Sequence, residues 1–226
     1  MCGRFALFAP LDVIAAELGA EPPAEVAEAR SPRYNVAPSR RILAVRRTAG
    51  GSRKLDLLQW GLVPFWAKER AIGHRLINAR AESLSTKPAF REAASRRHCL
   101  IPASGFYEWA PSAGGRKRPH FITRRDGELL AFAGLWERWR HGGDEPSLET
   151  CTIVTTAANA AVAPLHDRMP VVLSKTDQLR WLEATTPIDS CLELAQDATA
   201  FTAWPVGIGV NDPRRDEPAL IEREEA

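Results

Sequence analysis

A chain of 226 residues with 45% apolar and 26% charged side chains has the composition of a folded domain, which excludes wholesale disorder. It has no apolar run of the ~18 residues a membrane span needs, and Met1-Cys2-Gly3-Arg4-Phe5 opens without an apolar signal core. A cytoplasmic protein with no membrane partner is expected, and four cysteines without a C-x-x-C pair argue against a disulfide scaffold or zinc ribbon.

The net charge of +2 hides a polarity. Residues 1–140 hold 24 Lys+Arg against 13 Asp+Glu, while residues 141–226 hold 6 against 15. Arginine outnumbers lysine 25 to 5, and its planar fork suits bidentate phosphate contacts. Charge alone leaves a nucleic-acid face and a merely solvated basic face equally open.

Along the chain, apolar residues at helical spacing from Leu11 to Leu18, stopped by Gly19, predict a short helix. Pro22-Pro23 and Ser31-Pro32 bracket a loop. Residues 42–47 and 54–60 read as two strands around the turn Ala49-Gly50-Gly51-Ser52. A helix is expected over 85–94, then strands over 99–109, 119–123 and 129–135, with a turn at Ser112-Ala113-Gly114-Gly115. Residues 150–156, 170–173 and 201–206 give further strands, and 175–184 and 188–198 further helices. The pattern is α+β, a mostly antiparallel sheet or barrel with peripheral helices. One domain over 1–211 is expected, followed by a poorly ordered acidic tail over 212–226. No G-x-G-x-x-G or Walker A sequence is present, so no nucleotide cofactor is expected. His74, His98, His120 and His141 show no ligand spacing with one another or with Cys99, Cys151 and Cys191. No metal is expected, and those three cysteines read as core thiols.

Five places carry candidate chemistry or binding. Cys2, freed of Met1, would present a thiol and an α-amine on adjacent carbons. An α-amine of pKa ~8 is partly neutral at physiological pH, so the pair suits amide hydrolysis or condensation with an aldehyde. An incidental second residue is the plainer alternative. His166 stands in Ala163-Pro164-Leu165-His166-Asp167-Arg168-Met169-Pro170, a constrained loop where its protonation can be tuned, or where it merely caps a carbonyl. Glu108 lies among Phe106, Tyr107 and Trp109, and burial there would raise its pKa, whereas strand alternation equally allows it to face solvent. Alternation places Asn78, Arg80 and Glu82 on one face, fit for a sugar-phosphate or simply for water. The stretch from Trp60 to Trp66 is core material or a base-stacking platform.

Taken in order, Met1-Cys2-Gly3-Arg4-Phe5, Arg33-Tyr34-Asn35-Val36-Ala37-Pro38, Trp60-Gly61-Leu62-Val63-Pro64-Phe65-Trp66-Ala67-Lys68, Ile77-Asn78-Ala79-Arg80-Ala81-Glu82, Gly105-Phe106-Tyr107-Glu108-Trp109 and Leu165-His166-Asp167-Arg168-Met169-Pro170 closely resemble the SOS-response-associated peptidase (SRAP) family of abasic-site-processing proteins. The resemblance implies binding of single-stranded DNA, especially near junctions with duplex, and trapping of an abasic sugar as a thiazolidine crosslink on Cys2. It also implies peptidase activity, chiefly release of Met1, with Cys2 attacking its own preceding peptide bond or a methionine aminopeptidase doing the task instead. By motif, Cys2 is the nucleophile, Asn78 positions the sugar and Cys2, Glu108 sits by the amine, and His166 moves protons during ring opening. Arg4 and Arg80 match positions that hold flanking phosphates, with Arg168, Trp66, Pro38 and Ser39 completing the DNA-contacting set. No cofactor is implied, and a monomer is expected. Two other readings stay open, a cysteine-dependent peptidase or amidohydrolase acting in trans and a non-catalytic single-stranded DNA binder.

Overall fold

The computed structural model describes residues 2–23, 32–111, 115–140 and 146–224. Met1, Ser31, most of the turn at Ser112-Ala113-Gly114-Gly115 and most of the loop from His141 to Pro146 lie outside the described residues, as does the end of the tail. Twelve described strands fall into two sheets.

The larger sheet is a ring. It is formed by β3 (Arg41–Arg47), β4 (Arg53–Trp60), β6 (His98–Ala103), β9 (Leu130–Trp139) and β10 (Leu148–Ala157). Its order β10-β4-β3-β6-β9 closes because β9 also pairs with β10. Five strands cannot close with every neighbour antiparallel, since an odd ring forces at least one parallel pair. That pair is β4–β10, where Thr150 lies against Gln59, and the other four contacts are antiparallel. Closure removes the exposed edges that an open sheet would offer.

β10 is the spine of the site. On one side it is met by β4 and then by β5 (Asn78–Arg80), and on the other by β9 and then by β11 (Arg168–Pro170). The second sheet is antiparallel, in the order β12 (Phe201–Pro205), β8 (Arg118–Arg124), β7 (Gly105–Ala110), β1 (Phe5–Leu7), β2 (Arg33–Val36). Aromatic rings weld the two sheets together. Phe5 of β1 packs 5.3 Å from Trp60 of β4, and both Phe5 and Phe106 meet Phe132 of β9 edge-on. Each such pair contributes ~0.5–1.5 kcal/mol beyond its buried area. At Gly105 the strands approach so closely that an added Cβ would lie 2.7 Å from the Ile122 carbonyl oxygen.

The helices are peripheral. α1 (Leu11–Leu18) ends as expected, with Gly19 at φ +55° returning its N–H to the carbonyls of Ala15 and Ala16. α3 (Lys175–Leu182) is capped by Ser174 and buries Trp181, which stacks on His98 at 3.7 Å. Three expectations are corrected. The helix read over 85–94 is α2 (Arg91–Arg96), because Pro88 disfavours helical backbone at the residue before it. The strand read over 99–109 is two strands, broken at Ser104, and they belong to different sheets. The segment read over 188–198 is a 3-10 turn (Ile188–Cys191) followed by the single-turn α4 (Glu193–Gln196).

The acidic tail is ordered as far as it is described. Residues 208–211 and 218–221 form 3-10 turns, and Asp216 accepts from the N–H groups of Tyr34 and Asn35 and from Arg33 Nε. Two backbone N–H groups and one guanidinium thus hold this segment through Asp216, which composition alone did not reveal. Cys99, Cys151 and Cys191 are buried free thiols, with burial holding Cys99 up to about 12.

Candidate active site

Cys2 precedes β1, so its place follows from how β1 is held. The N–H of Tyr107 donates to the Arg4 carbonyl at 3.0 Å, continuing the β1–β7 pairing towards the N-terminus. Glu108 thereby comes alongside the start of the chain. Cys2 is completely buried, with Sγ 3.8 Å from the Arg4 carbonyl oxygen. Burial, with the charge of Glu108 adding to it, pushes the thiol well above its usual pKa. The resting side chain is therefore a thiol and not a thiolate.

Asn78 reaches the same point from the barrel. Trp60 Nε1–H donates to the Ile77 carbonyl at 2.9 Å, pinning the residue before it, and Ile153 of β10 lies beside Asn78 in register. Its Nδ2 donates to the Cys2 carbonyl at 2.8 Å. Its Oδ1 is buried with no hydrogen-bond partner among the described residues. A buried acceptor left open costs ~1–3 kcal/mol, which marks it as a place for a donor from outside the chain.

Glu108 faces inward, 3% exposed, and the solvent-facing alternative is set aside. Burial pushes its pKa up to about 7, Asp167 adds to the push, and Lys117 opposes it. A carboxyl group at that value exchanges a proton readily near neutrality.

His166 stands just before β11. Its Nδ1 accepts from the Arg168 N–H at 3.0 Å, and the Asp167 carboxylate lies 2.7 Å from the same nitrogen. The first partner suits an unprotonated Nδ1 and the second a protonated one, so the ring can carry its proton on either nitrogen at little cost. Burial lowers its pKa, so the imidazole is neutral at physiological pH.

Cys2, Asn78 and Glu108 thus converge, and the charges of Asp167 and Lys117 act on both Glu108 and His166. The basic residues divide. Arg80 is exposed at the end of β5. Arg4 is half-buried, with Nη1 bonded to Asn35 Oδ1 and to the Val210 carbonyl, each at 2.7 Å. Arg168 is engaged within the chain, its guanidinium forking onto both oxygens of Glu82 and also donating to the Thr155 carbonyl. It braces β11 against the segment after β5. Glu82 lies in a 3-10 turn beyond β5, so it does not share a strand face with Asn78 and Arg80, yet it meets Arg168 there.

Pro38, Ser39 and Trp66 belong to the loops after β2 and β4. Ser39 has a φ of +69°, donates its N–H to the Trp60 carbonyl at 2.8 Å, and meets His74 Nδ1 through its hydroxyl. Trp66 and Phe65 are half-exposed while Trp60 is core, which splits the aromatic stretch between both of its readings. Sequence reasoning missed Asn35, Asp216 and Lys117. Asn35 lay in a quoted motif, but nothing local marked its amide as a bridge to a segment about 180 residues away.

Among the described residues no helix is long and apolar enough to cross a membrane. The family model for SOS response associated peptidase (SRAP) matches residues 1–213. The chain is 42% identical over 225 residues to the abasic site processing protein YoqW of Bacillus subtilis, covering 98% of this chain and 99% of that one. It is 40% identical to YoaM of the same organism, another abasic site processing protein, covering 99% of each. A Bacteroides thetaiotaomicron protein of known crystal structure shares the fold with a TM-score of 0.88 at 24% identity, over 99% of this chain and 100% of that one. With the converging residues and this match along nearly its whole length, the chain belongs to the SOS response associated peptidase family.

Proposed function

We propose that this protein processes abasic sites in single-stranded DNA by linking itself to them through Cys2. The observation that carries the proposal is the pairing of Asn78 with Cys2. One end of the amide anchors the backbone of Cys2, and the other is a buried acceptor without a partner among the described residues. That arrangement suits a sugar hydroxyl brought against the residue that reacts.

The chemistry follows from the groups present. Removal of Met1 frees the Cys2 amine. His166 and Glu108 exchange protons as the abasic sugar opens to its aldehyde. The amine adds to the aldehyde carbon, and loss of one water gives an imine. The thiol then adds across the C=N bond, its proton passing to nitrogen, and closes a five-membered thiazolidine. A protonated resting thiol fits this order, in which the amine acts first. It fits less well with a peptidase acting in trans, which would need a thiolate at the outset. Reaching the lesion requires it to leave the stack, which costs little for a nucleotide without a base. Arg4 and Arg80 take the flanking phosphates, and Trp66, with Pro38 and Ser39, meets neighbouring nucleotides near a junction with duplex.

The test is incubation of purified protein with an oligonucleotide carrying one abasic site, followed by denaturing electrophoresis and mass measurement. The expected product has the summed mass less one water. Cys2→Ala, which keeps the amine, should yield at most an imine seen only after borohydride reduction. An uncleaved extension before Cys2 should abolish both products. Crosslinking by such a blocked protein at the normal rate would overturn the mechanism.

A further inference from the structure

We propose that the C-terminal segment from Val210 to Asp216 is a clamp that positions Arg4 for a DNA phosphate, with Asp216 and Asn35 as its positioning residues. The proposal rests on the reading of Arg4 as a phosphate contact.

The observations form one chain of contacts. Arg4 Nη1 is held between Asn35 Oδ1 and the Val210 carbonyl. Its Nε is buried with no hydrogen-bond partner among the described residues, so the grip on Nη1 sets how the guanidinium points. Asn35 is itself 2% exposed, and its Nδ2 donates to the carbonyls of Val210, Asp212 and Arg215 at 3.3, 3.0 and 2.8 Å. Asp216 closes the loop from the other side. Its Oδ1 accepts from the N–H groups of Tyr34 and Asn35, and its Oδ2 from Arg33 Nε at 2.7 Å. Tyr107 adds a further tie, donating from its hydroxyl to the Tyr34 carbonyl at 2.7 Å, one residue from Glu108.

A free arginine side chain carries ~2 kcal/mol of rotamer entropy, much of which is lost when it grips an anion. Holding Nη1 beforehand removes part of that cost, as any preorganised contact does. The clamp also keeps the charge half-buried, where burial lowers the Arg4 pKa and where a phosphate is screened less than in open water. Asp216 is only partly buried, so its loss should loosen the clamp without opening the core.

The test is a double-mutant cycle on binding of single-stranded DNA without a lesion, measured across salt concentrations so that crosslinking does not enter. Asp216→Ala should weaken binding about 2- to 10-fold, the range for one side chain that must be immobilised afresh. It should also make the slope of log K against log salt shallower by up to ~0.7, the loss of one phosphate contact on a single strand. In an Arg4→Ala background Asp216→Ala should add nothing. Asp216→Asn, which retains an acceptor for both backbone N–H groups but sets its amide N–H against Arg33 Nε, should bind between the unchanged protein and Asp216→Ala. Asp216→Ser takes the place of Asp216→Ala should the latter not fold. An equal loss in both backgrounds would overturn the proposal, as would full binding by Asp216→Ala beside a weakened Arg4→Ala. An Arg4→Ala protein that binds normally would instead remove the reading of Arg4, and the clamp with it.

Discussion

In the barrel, β9 and β10 run ten residues each and share six consecutive register pairs, whereas β1, β5 and β11 are three residues each. Three of the four candidate groups gather at the short strands, and the fourth, Glu108, lies in the six-residue β7. Cys2 precedes β1, Asn78 opens β5, and His166 precedes β11. A three-residue strand contributes few ladder bonds of its own, so each is held from outside by an indole, an aromatic contact or an arginine fork. The long strands carry most of the barrel's ladder, and the short ones place the candidate groups at the seam where two sheets meet. Such a division lets a site keep an open buried acceptor without endangering the fold.

The comparison breaks most sharply at His166. Removing a positioned acid/base costs ~10²–10⁴-fold, so His166→Ala should slow crosslinking by such a factor while the melting temperature barely moves. Crosslinking kinetics and a thermal melt on the same preparation check both halves, and a large fall in melting temperature would erase the division. The reverse is expected of the barrel. Leu55→Ala, at a fully buried position in β4, should cost ~2–5 kcal/mol in denaturant unfolding yet leave the crosslinking rate of the folded protein nearly unchanged.

Glu108 sharpens the contrast through pH. Its pKa is raised from 4.5 to about 7 in the fold, so the unfolded chain releases its proton at a lower pH than the folded one does. The stability linked to this group is complete below pH 4.5 and is lost as pH rises through about 7. Glu108→Gln should remove that dependence, and its melting temperature relative to the unchanged protein should climb between pH 5 and pH 8. The crosslinking rate of the same variant should lose any inflection near pH 7. The smallest effect is expected at Glu82→Gln. It loosens an ion pair whose acidic partner is largely exposed, for which ~0.2–1 kcal/mol is typical, so a few-fold slower reaction and a slight loss of stability should be measured.

How much of this was legible follows the same line. α1 and the long strands could be read because their apolar spacing and flanking glycines act locally, and Gly19 marks the end of α1 to the residue. The break at Ser104 could not be read, because residues on both sides of it are buried and only the change of sheet separates them. Cys2, Asn78, Glu108 and His166 stood out as residue types that fit their surroundings badly, a charge among aromatics or an amide on a strand. Asn35 and Asp216 did not, since their meaning lies in partners that the chain brings back only after 175 to 181 residues. The fork of Arg168 onto Glu82 was hidden for the same reason.

The pairing of β1 with β7 also orders events in time. Phe5 finds Phe106, and Cys2 finds Asn78 and Glu108, only after those residues have been made. At ~5–20 residues per second, roughly 10–30 s separate the synthesis of Cys2 from that of His166. Until Asn78 and Glu108 have been made, the Cys2 thiol lacks the burial that later holds its proton in place. The surroundings that set the Cys2 thiol are thus assembled by topology, from strands far apart in the chain, and not by its sequence neighbours.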